Sequence, residues 1–341
     1  MQLRQFARMA RRRLAAGVIV LLGVTLVTFF IAHVAPGDPA QMMAGPRASP
    51  ELVADLRARL GLDQPVWVQY GRYMQRLATG DFGQSIATGR PALDEITARI
   101  PATIELMLVA MLIATTLGIL LGVLTAAYRD TWVDTLARGT SIIAISTPTF
   151  WLGLLLLLVF YDWAGLLPGS GRLDAGLEPP PSVTGFYTID ALFAGDGLAL
   201  RSAINHLVLP AATLALGSIG ALVRVVRSSM LEVLSEDYIR TARAAGLPTR
   251  TVLLRHALPN ALIPLITVLA LELAALIFGS VIVESVFSWP GVGRFVLESI
   301  LRLDFPVIMC FTVLAAVAYL LANLLADVLY VTVDPRIREI H

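Results

Sequence analysis

The sequence predicts an all-α polytopic membrane protein with six transmembrane helices and both termini in the cytoplasm. A small external helical segment follows the first span, and a short cytoplasmic helix lies between spans four and five. Composition, hydropathy patterning and arginine placement each point that way. Apolar residues make up 57% of the 341 residues and charged residues 15%, with a mean hydropathy of +0.75. A soluble domain carries about 25% charged residues, so this chain has too few to coat a globule. Crossing the hydrocarbon takes roughly 20 apolar residues, and six such stretches occur, at 14–34, 101–127, 139–161, 206–230, 260–283 and 305–331. With the N-terminus inside, the inner segments hold 15 arginines in about 70 residues and the outer ones 11 in about 130, the asymmetry expected of cytoplasmic loops.

Composition also excludes whole classes of function. A cytosolic enzyme, a disordered chain and a collagen-like fibre are ruled out. A net charge of +1 leaves no basic face for nucleic acid. The single cysteine, Cys310, can form neither an internal disulfide nor a zinc site built from cysteine pairs. All 26 basic residues are arginine, so a P-loop, a Schiff base and a Ser-Lys dyad are excluded.

The elements follow in order. The tail carries Arg4, Arg8, Arg11, Arg12 and Arg13 without an acid. The apolar stretch after it exceeds the roughly 7–15 residues of a signal-peptide core and ends in no clean cleavage site, so 1–34 reads as a tail and an uncleaved first span. Residues 35–100 form the external segment. Within it, 50–60 reads as an amphipathic helix with Leu52, Leu56 and Leu60 on one face and Gly61 just past its end. A second helix at 65–77 aligns Val66, Tyr70, Tyr73 and Leu77, and Gly80-Asp81-Phe82-Gly83 breaks the chain after it. Residues 101–331 carry the other five spans. The Pro- and Gly-rich loop at 162–205 is expected to be irregular, and 332–341 forms a cytoplasmic tail.

The inner segment after span four is the most informative. Glu236 and Asp237 precede good helix formers, which end at Gly246-Leu247-Pro248, the pattern of a short capped helix. Tyr238, Thr241, Ala242 and Ala245 share one face, nearly flat apart from the aromatic, while Arg240 and Arg243 lie off it. A second helix is expected at 249–258, ended by Pro259. A small-residue face permits close approach of another backbone. Periodicity alone leaves two readings, docking to a protein at the inner surface or a connector lying on the bilayer.

At this segment the chain resembles the inner-membrane permease subunits of ATP-binding-cassette importers. Their signature is EAA, three residues, Gly, nine residues, I-x-L-P. Ala242 matches the second alanine, Gly246 the glycine and Leu258-Pro259 the end. Arg240 stands in place of the Glu, Thr241 in place of the first alanine and His256 in place of the isoleucine. That version is similar to the dipeptide/oligopeptide/nickel branch. So are Ala35-Pro36-Gly37-Asp38-Pro39, Gly80-Asp81-Phe82-Gly83-Gln84-Ser85 and Arg255-His256-Ala257-Leu258-Pro259-Asn260. Later matches are Glu284-Ser285-Val286-Phe287-Ser288-Trp289-Pro290-Gly291-Val292-Gly293, Asn323-Leu324-Leu325-Ala326-Asp327 and Asp334-Pro335-Arg336. The long segment after the first span resembles that of the B-type subunit.

The resemblance implies a bacterial inner-membrane permease for dipeptides, oligopeptides or a similar small solute, working by alternating access. It implies a coupling helix seated in a groove of a cytoplasmic ATPase, with Tyr238, Thr241, Ala242, Arg243, Ala245, Gly246, Leu258 and Pro259 at or beside the contact. The implied partners are a second permease subunit, two ATPase subunits and an external solute-binding protein. ATP and magnesium would sit on the ATPases, and this chain would bind no cofactor.

Other residues keep open readings. Glu272, in span five, either lines a substrate path or is a carboxyl bonded to a neighbouring span or to water; an intramembrane carboxylate is costly and usually faces the bundle. Glu105 reads as a carboxylate in the first turn of span two, in a cap or interface role. Gly118 and Gly122, and likewise Ala275 and Gly279, read as close-packing pairs. Trp289 reads as an interfacial anchor, and Asn323 and Asp327 as facing protein or headgroups. His33, His206, His256 and His341 have no metal-ligand spacing, and neither H-E-x-x-H nor G-x-S-x-G occurs. A stand-alone ion-coupled transporter would need several mid-membrane ionisable groups or an inverted repeat, and neither is present. An assembly scaffold without a transport path is the remaining alternative.

Overall fold

The computed structural model describes residues 2–34, 39–45 and 47–333. Residues 35–38 and Asp334-Pro335-Arg336 of the resemblance motifs, most of the expected tail and the side chain of Asp327 lie outside the described residues. The helices are α1 (Gln2–Val34), α2 (Pro39–Ala44), α3 (Pro50–Leu60), α4 (Val66–Ala78), α5 (Ala92–Thr97), α6 (Ile100–Ala127) and α7 (Trp132–Ser146). They continue with α8 (Thr149–Leu156), α9 (Tyr187–Ala194), α10 (Gly197–Leu234), α11 (Asp237–Ala244) and α12 (Thr249–Thr251). The last are α13 (Leu258–Ala261), α14 (Ile263–Val286), α15 (Val292–Leu301) and α16 (Phe305–Val333). π-helical turns at Leu157–Trp163 and Val252–Ala257 follow α8 and α12. Among the described residues there is no strand, only a bridge between Gln84 and Pro91.

Four helical stretches among the described residues are long and apolar enough to cross a membrane: Ala16–His33, Ala92–Ala127, Gly197–Leu234 and Phe305–Leu324. A fifth qualifies when Thr249–Ala261 and Ile263–Ile277, bent by 46°, count as one span. The expected third span is broken. Thr147 is extended (φ −87°, ψ 129°) because the residue before Pro148 is disfavoured in the α region, so α7 stops and α8 restarts. Pro259 does not end its helix either. It sits in the first turn of α13, where its missing N–H costs nothing, and the bend falls at Leu262. The loop expected to be irregular contains α9, and α15 was not expected.

The chain divides into two compact units, Met1–Ile100 with Phe295–Leu320, and Pro101–Arg294 with Leu321–His341. In the first, Ser49 caps α3 by accepting from the Leu52 N–H, and Gly61 (φ 70°) ends it, because a left-handed C-cap is cheapest for glycine. Helix α4 lies against α1. Tyr70 and Tyr73 pack on Phe29 with ring centroids 5.3 and 5.8 Å away, and Gln69 meets His33 Nε2 at 2.9 Å. Asp304, just before α16, accepts from Ser85 Oγ (2.6 Å) and from the N–H groups of Ile86 and Ala87, which fixes the turn after α4.

In the second unit α10 is central. Asp196 caps it, accepting from the N–H groups of Leu198 and Ala199, and it packs against α7, α8, α9 and α14. Gly118 and Gly122 of α6 meet it so closely that an added Cβ would lie 2.6 Å from Leu222 or Val226. That is the close approach a G-x-x-x-G pair permits.

Candidate coupling surface and the buried carboxylates

Helix α11 starts after Glu236, whose extended backbone (φ −68°, ψ 150°) marks the N-cap. Ile239 is fully buried and anchors the helix to the core. Tyr238, Arg240, Thr241, Arg243 and Ala245 are exposed, whereas Ala242 is half-buried and packs on the core. Most of the expected small-residue face therefore points away from the protein, with Ala242 at its inner edge. Tyr238 ties the two short helices together: its Oη accepts from Asn260 Nδ2 (2.8 Å) and donates to the His256 carbonyl (3.4 Å). Thr241 donates to the Asp237 carbonyl, and Arg240 pairs with Asp237. Gly246 adopts φ +78° with nothing near its Cβ position, so conformation, not space, demands glycine there. Leu258 packs against the core and Pro259 is exposed. In α14, Glu272 is half-buried and accepts from Ser218 Oγ of α10 at 2.6 Å.

Comparison with known proteins sets these features in a family. The family model for the binding-protein-dependent transport system inner membrane component matches residues 118–339, and the model for the N-terminal part of such components matches 6–107. The chain belongs to this permease family. It is 52% identical over 332 residues, 97% of this chain and 98% of the relative, to the probable D,D-dipeptide transport system permease protein DdpB of Escherichia coli (strain K12). It is 44% identical over 329 residues, 96% and 98% of the two chains, to the dipeptide transport system permease protein DppB of Alkalihalophilus pseudofirmus. A chain from inward-facing conformations of the MetNI methionine ABC transporter aligns with 68% of this chain and 93% of its own, at TM-score 0.48 and 17% identity. The family models and the near full-length relatives make the protein a multi-pass inner-membrane permease subunit of an ABC importer, of the dipeptide/oligopeptide group.

Several charged groups of the permease sit where sequence reasoning did not place them. Glu105 is not in a first turn, because α6 begins at Ile100. It is buried, accepts from the N–H (2.9 Å) and Oγ1 (2.6 Å) of Thr188, and pairs with Arg172. Arg172 also donates to the Gly185 carbonyl and stacks 3.6 Å from the Tyr187 ring centroid. Beside it, burial pushes the Asp190 carboxyl up, but bonds from Thr184 and Gly185 outweigh that and hold it below the usual range.

Trp289 is not an interfacial anchor. It is 1% exposed and donates from Nε1 to the Ala102 carbonyl (2.9 Å), because the loop after α14 folds inward over α6. Glu284 explains that fold. Its buried carboxylate accepts from Thr103 Oγ1 (2.7 Å) and the Arg294 N–H (2.9 Å); a Cβ on Gly291 would strike that carboxylate, and one on Gly293 would strike the Val281 backbone. At the other end of α10, Arg227 grips Asp134 with two 2.8 Å bonds. A carboxylate among apolar neighbours was the available signal for Glu284. Nothing in the sequence identified the partners. Among the described residues no three His, Cys, Asp or Glu come together to hold a metal.

Proposed function

We propose that the permease forms half of the translocation path for dipeptides or closely similar short peptides, moving them inward by alternating access. The relatives named for dipeptides cover nearly the whole chain, which supports that substrate class. In this reading six spans place both termini in the cytoplasm, with 1–34 as tail and first span, 35–100 outside, 101–331 as the transmembrane domain and 332–341 as a cytoplasmic tail. A second related permease completes the path. Two cytoplasmic ATPase subunits hold and hydrolyse ATP with magnesium, and an external solute-binding protein delivers the peptide. The chain itself binds no cofactor.

Helix α11 is the coupling helix. One observation carries this assignment: a short polar helix anchored by Ile239, with Tyr238, Thr241, Arg243 and Ala245 left outward and Gly246 at its end in a conformation only glycine adopts cheaply. Ala242, Leu258 and Pro259 support that helix from its inner edge and its continuation. Glu272, bonded to Ser218, faces the path and draws the peptide's amino group.

The test is co-purification of the tagged permease from its native membrane, with and without Gly246→Trp. Open space around Gly246 lets the variant fold, while its positive φ disfavours tryptophan. The expected outcome is ATPase subunits with the wild type and at least a several-fold loss in the variant. Equal recovery in both would remove α11 from the contact.

A further inference from the structure

We propose that a cavity at the end of α1 binds the headgroup of an anionic phospholipid. The inference goes beyond the transport reading. It requires α1 to be a span, and does not depend on which leaflet its end meets. The cavity has a volume of about 400 Å³. Its apolar lining comes from the ends of two helices, Phe29 in the last turns of α1 and Phe305 and Met309 in the first turns of α16. Arg57, Arg72 and Arg76 line it as well, against one acid, Asp81. The lining therefore joins three guanidinium groups to apolar side chains from two helix ends, the combination that suits an amphiphilic anion.

Two further observations make it a built site. A side chain at Gly61 would collide with the Arg72 guanidinium, so the glycine that ends α3 leaves room for that arginine to sit over it. Tyr73 lines the same cavity, and its buried hydroxyl has no hydrogen-bond partner. Burial, then the neighbouring Tyr70 and Cys310, push that hydroxyl to about 12, so it stays a neutral donor suited to a phosphate or ester oxygen. The location selects a lipid over a small soluble anion. One and two turns back from Phe29 on the same face of α1, Leu26 and Leu22 are 42% and 46% exposed, and in a spanning α1 they would lie against hydrocarbon. A phosphate held at the arginines can thus run its acyl chains down the outside of the helix.

The experiment is native mass spectrometry of the delipidated permease complex in neutral detergent, titrated with phosphatidylglycerol or phosphatidylcholine. Wild type should retain phosphatidylglycerol and not phosphatidylcholine. The double change Arg72→Ala/Arg76→Ala should weaken phosphatidylglycerol roughly thirtyfold, since each basic residue near a lipid surface is worth about fivefold. Arg72→Lys/Arg76→Lys should keep most of the affinity, and Tyr73→Phe should lose a few-fold. Both arginines are exposed, so the complex should remain assembled, which gel filtration checks. Equal retention of the two lipids, or no loss in the double alanine variant, overturns the proposal. Displacement of the lipid by a dipeptide or by inorganic phosphate at millimolar concentration also overturns it, by making the cavity a site for soluble anions.

Discussion

Arg227 grips Asp134 with two nitrogens across a pair of helices, whereas Arg172 reaches Glu105 from a loop. Both are buried carboxylate–guanidinium pairs, but their surroundings differ. Asp134 is fully buried while Arg227 is 19% exposed, and the half-exposed Arg138 stands 3.5 Å from the same carboxylate. Water reaches one side of that pair, so opening it exposes charges that can be resolvated. Glu105 and Arg172 are 3% and 8% exposed, and the rest of the guanidinium faces Gly185, Tyr187 and Trp289. A water-reached contact between two helices and a dry fastening of an irregular segment thus use the same two chemical groups. Access of water separates the roles, because removing one partner of a dry pair strands the other.

The largest effect should come from Arg172→Ala. It leaves the buried Glu105 without its countercharge and with only the Thr188 bonds, which costs up to about 3–5 kcal/mol. Thermal melting of the detergent-purified permease should show a large loss, and the double change Arg172→Met/Glu105→Gln should recover part of it. A single variant that melts like wild type would erase the distinction between the pairs.

Asp134→Asn should cost less, about 2 kcal/mol, the worth of hydrogen bonds to a charged group. The pair also has a pH signature. The Arg227 hydrogen bonds first, helped by the Asp130 N–H and by Arg138, hold the Asp134 carboxyl below the usual carboxylate range. A depressed folded-state value means that this stabilisation is complete above the unfolded value of about 3.9 and is lost as pH falls through the folded one. Wild-type melting should therefore drop on acidification below about pH 4, and Asp134→Asn should lack that component. The smallest effect belongs to Arg138→Ala, under about 1 kcal/mol for a half-exposed partner. A larger loss would show that Arg138 shares the pair equally with Arg227.

Much of the helical pattern was legible because its punctuation is local. Ser49-Pro50 and Gly61 bracket α3, and Glu236-Asp237 with Gly246 bracket α11, each through capping chemistry that a few adjacent residues decide. Hydropathy counts spans but not continuity, so the break at Thr147-Pro148 was lost inside an apolar run. The candidate site divided along the same line. The outward face of α11 follows from its 3.6-residue period, but the anchoring role of Ile239 depends on the core it meets. Trp289 was misread because an amphipathic ring suits a headgroup and a buried carbonyl alike, and only the fold-back over Ala102 decides between them. The partners of Glu105 and Glu284 lie 67 and 181 residues away, beyond any periodic signal.

Helix α10 runs unbroken for 38 residues, about 57 Å at 1.5 Å per residue, nearly twice the hydrocarbon thickness of about 30 Å. Only Ser235 and Glu236 separate it from α11. A rod longer than the membrane, joined to a small foot by so short an ankle, leaves little slack. If α11 is the coupling helix proposed above, a tilt imposed on the foot would reach the middle of the bundle as a rotation, and Pro210, the one proline within the rod, is where that rotation could be taken up as bending.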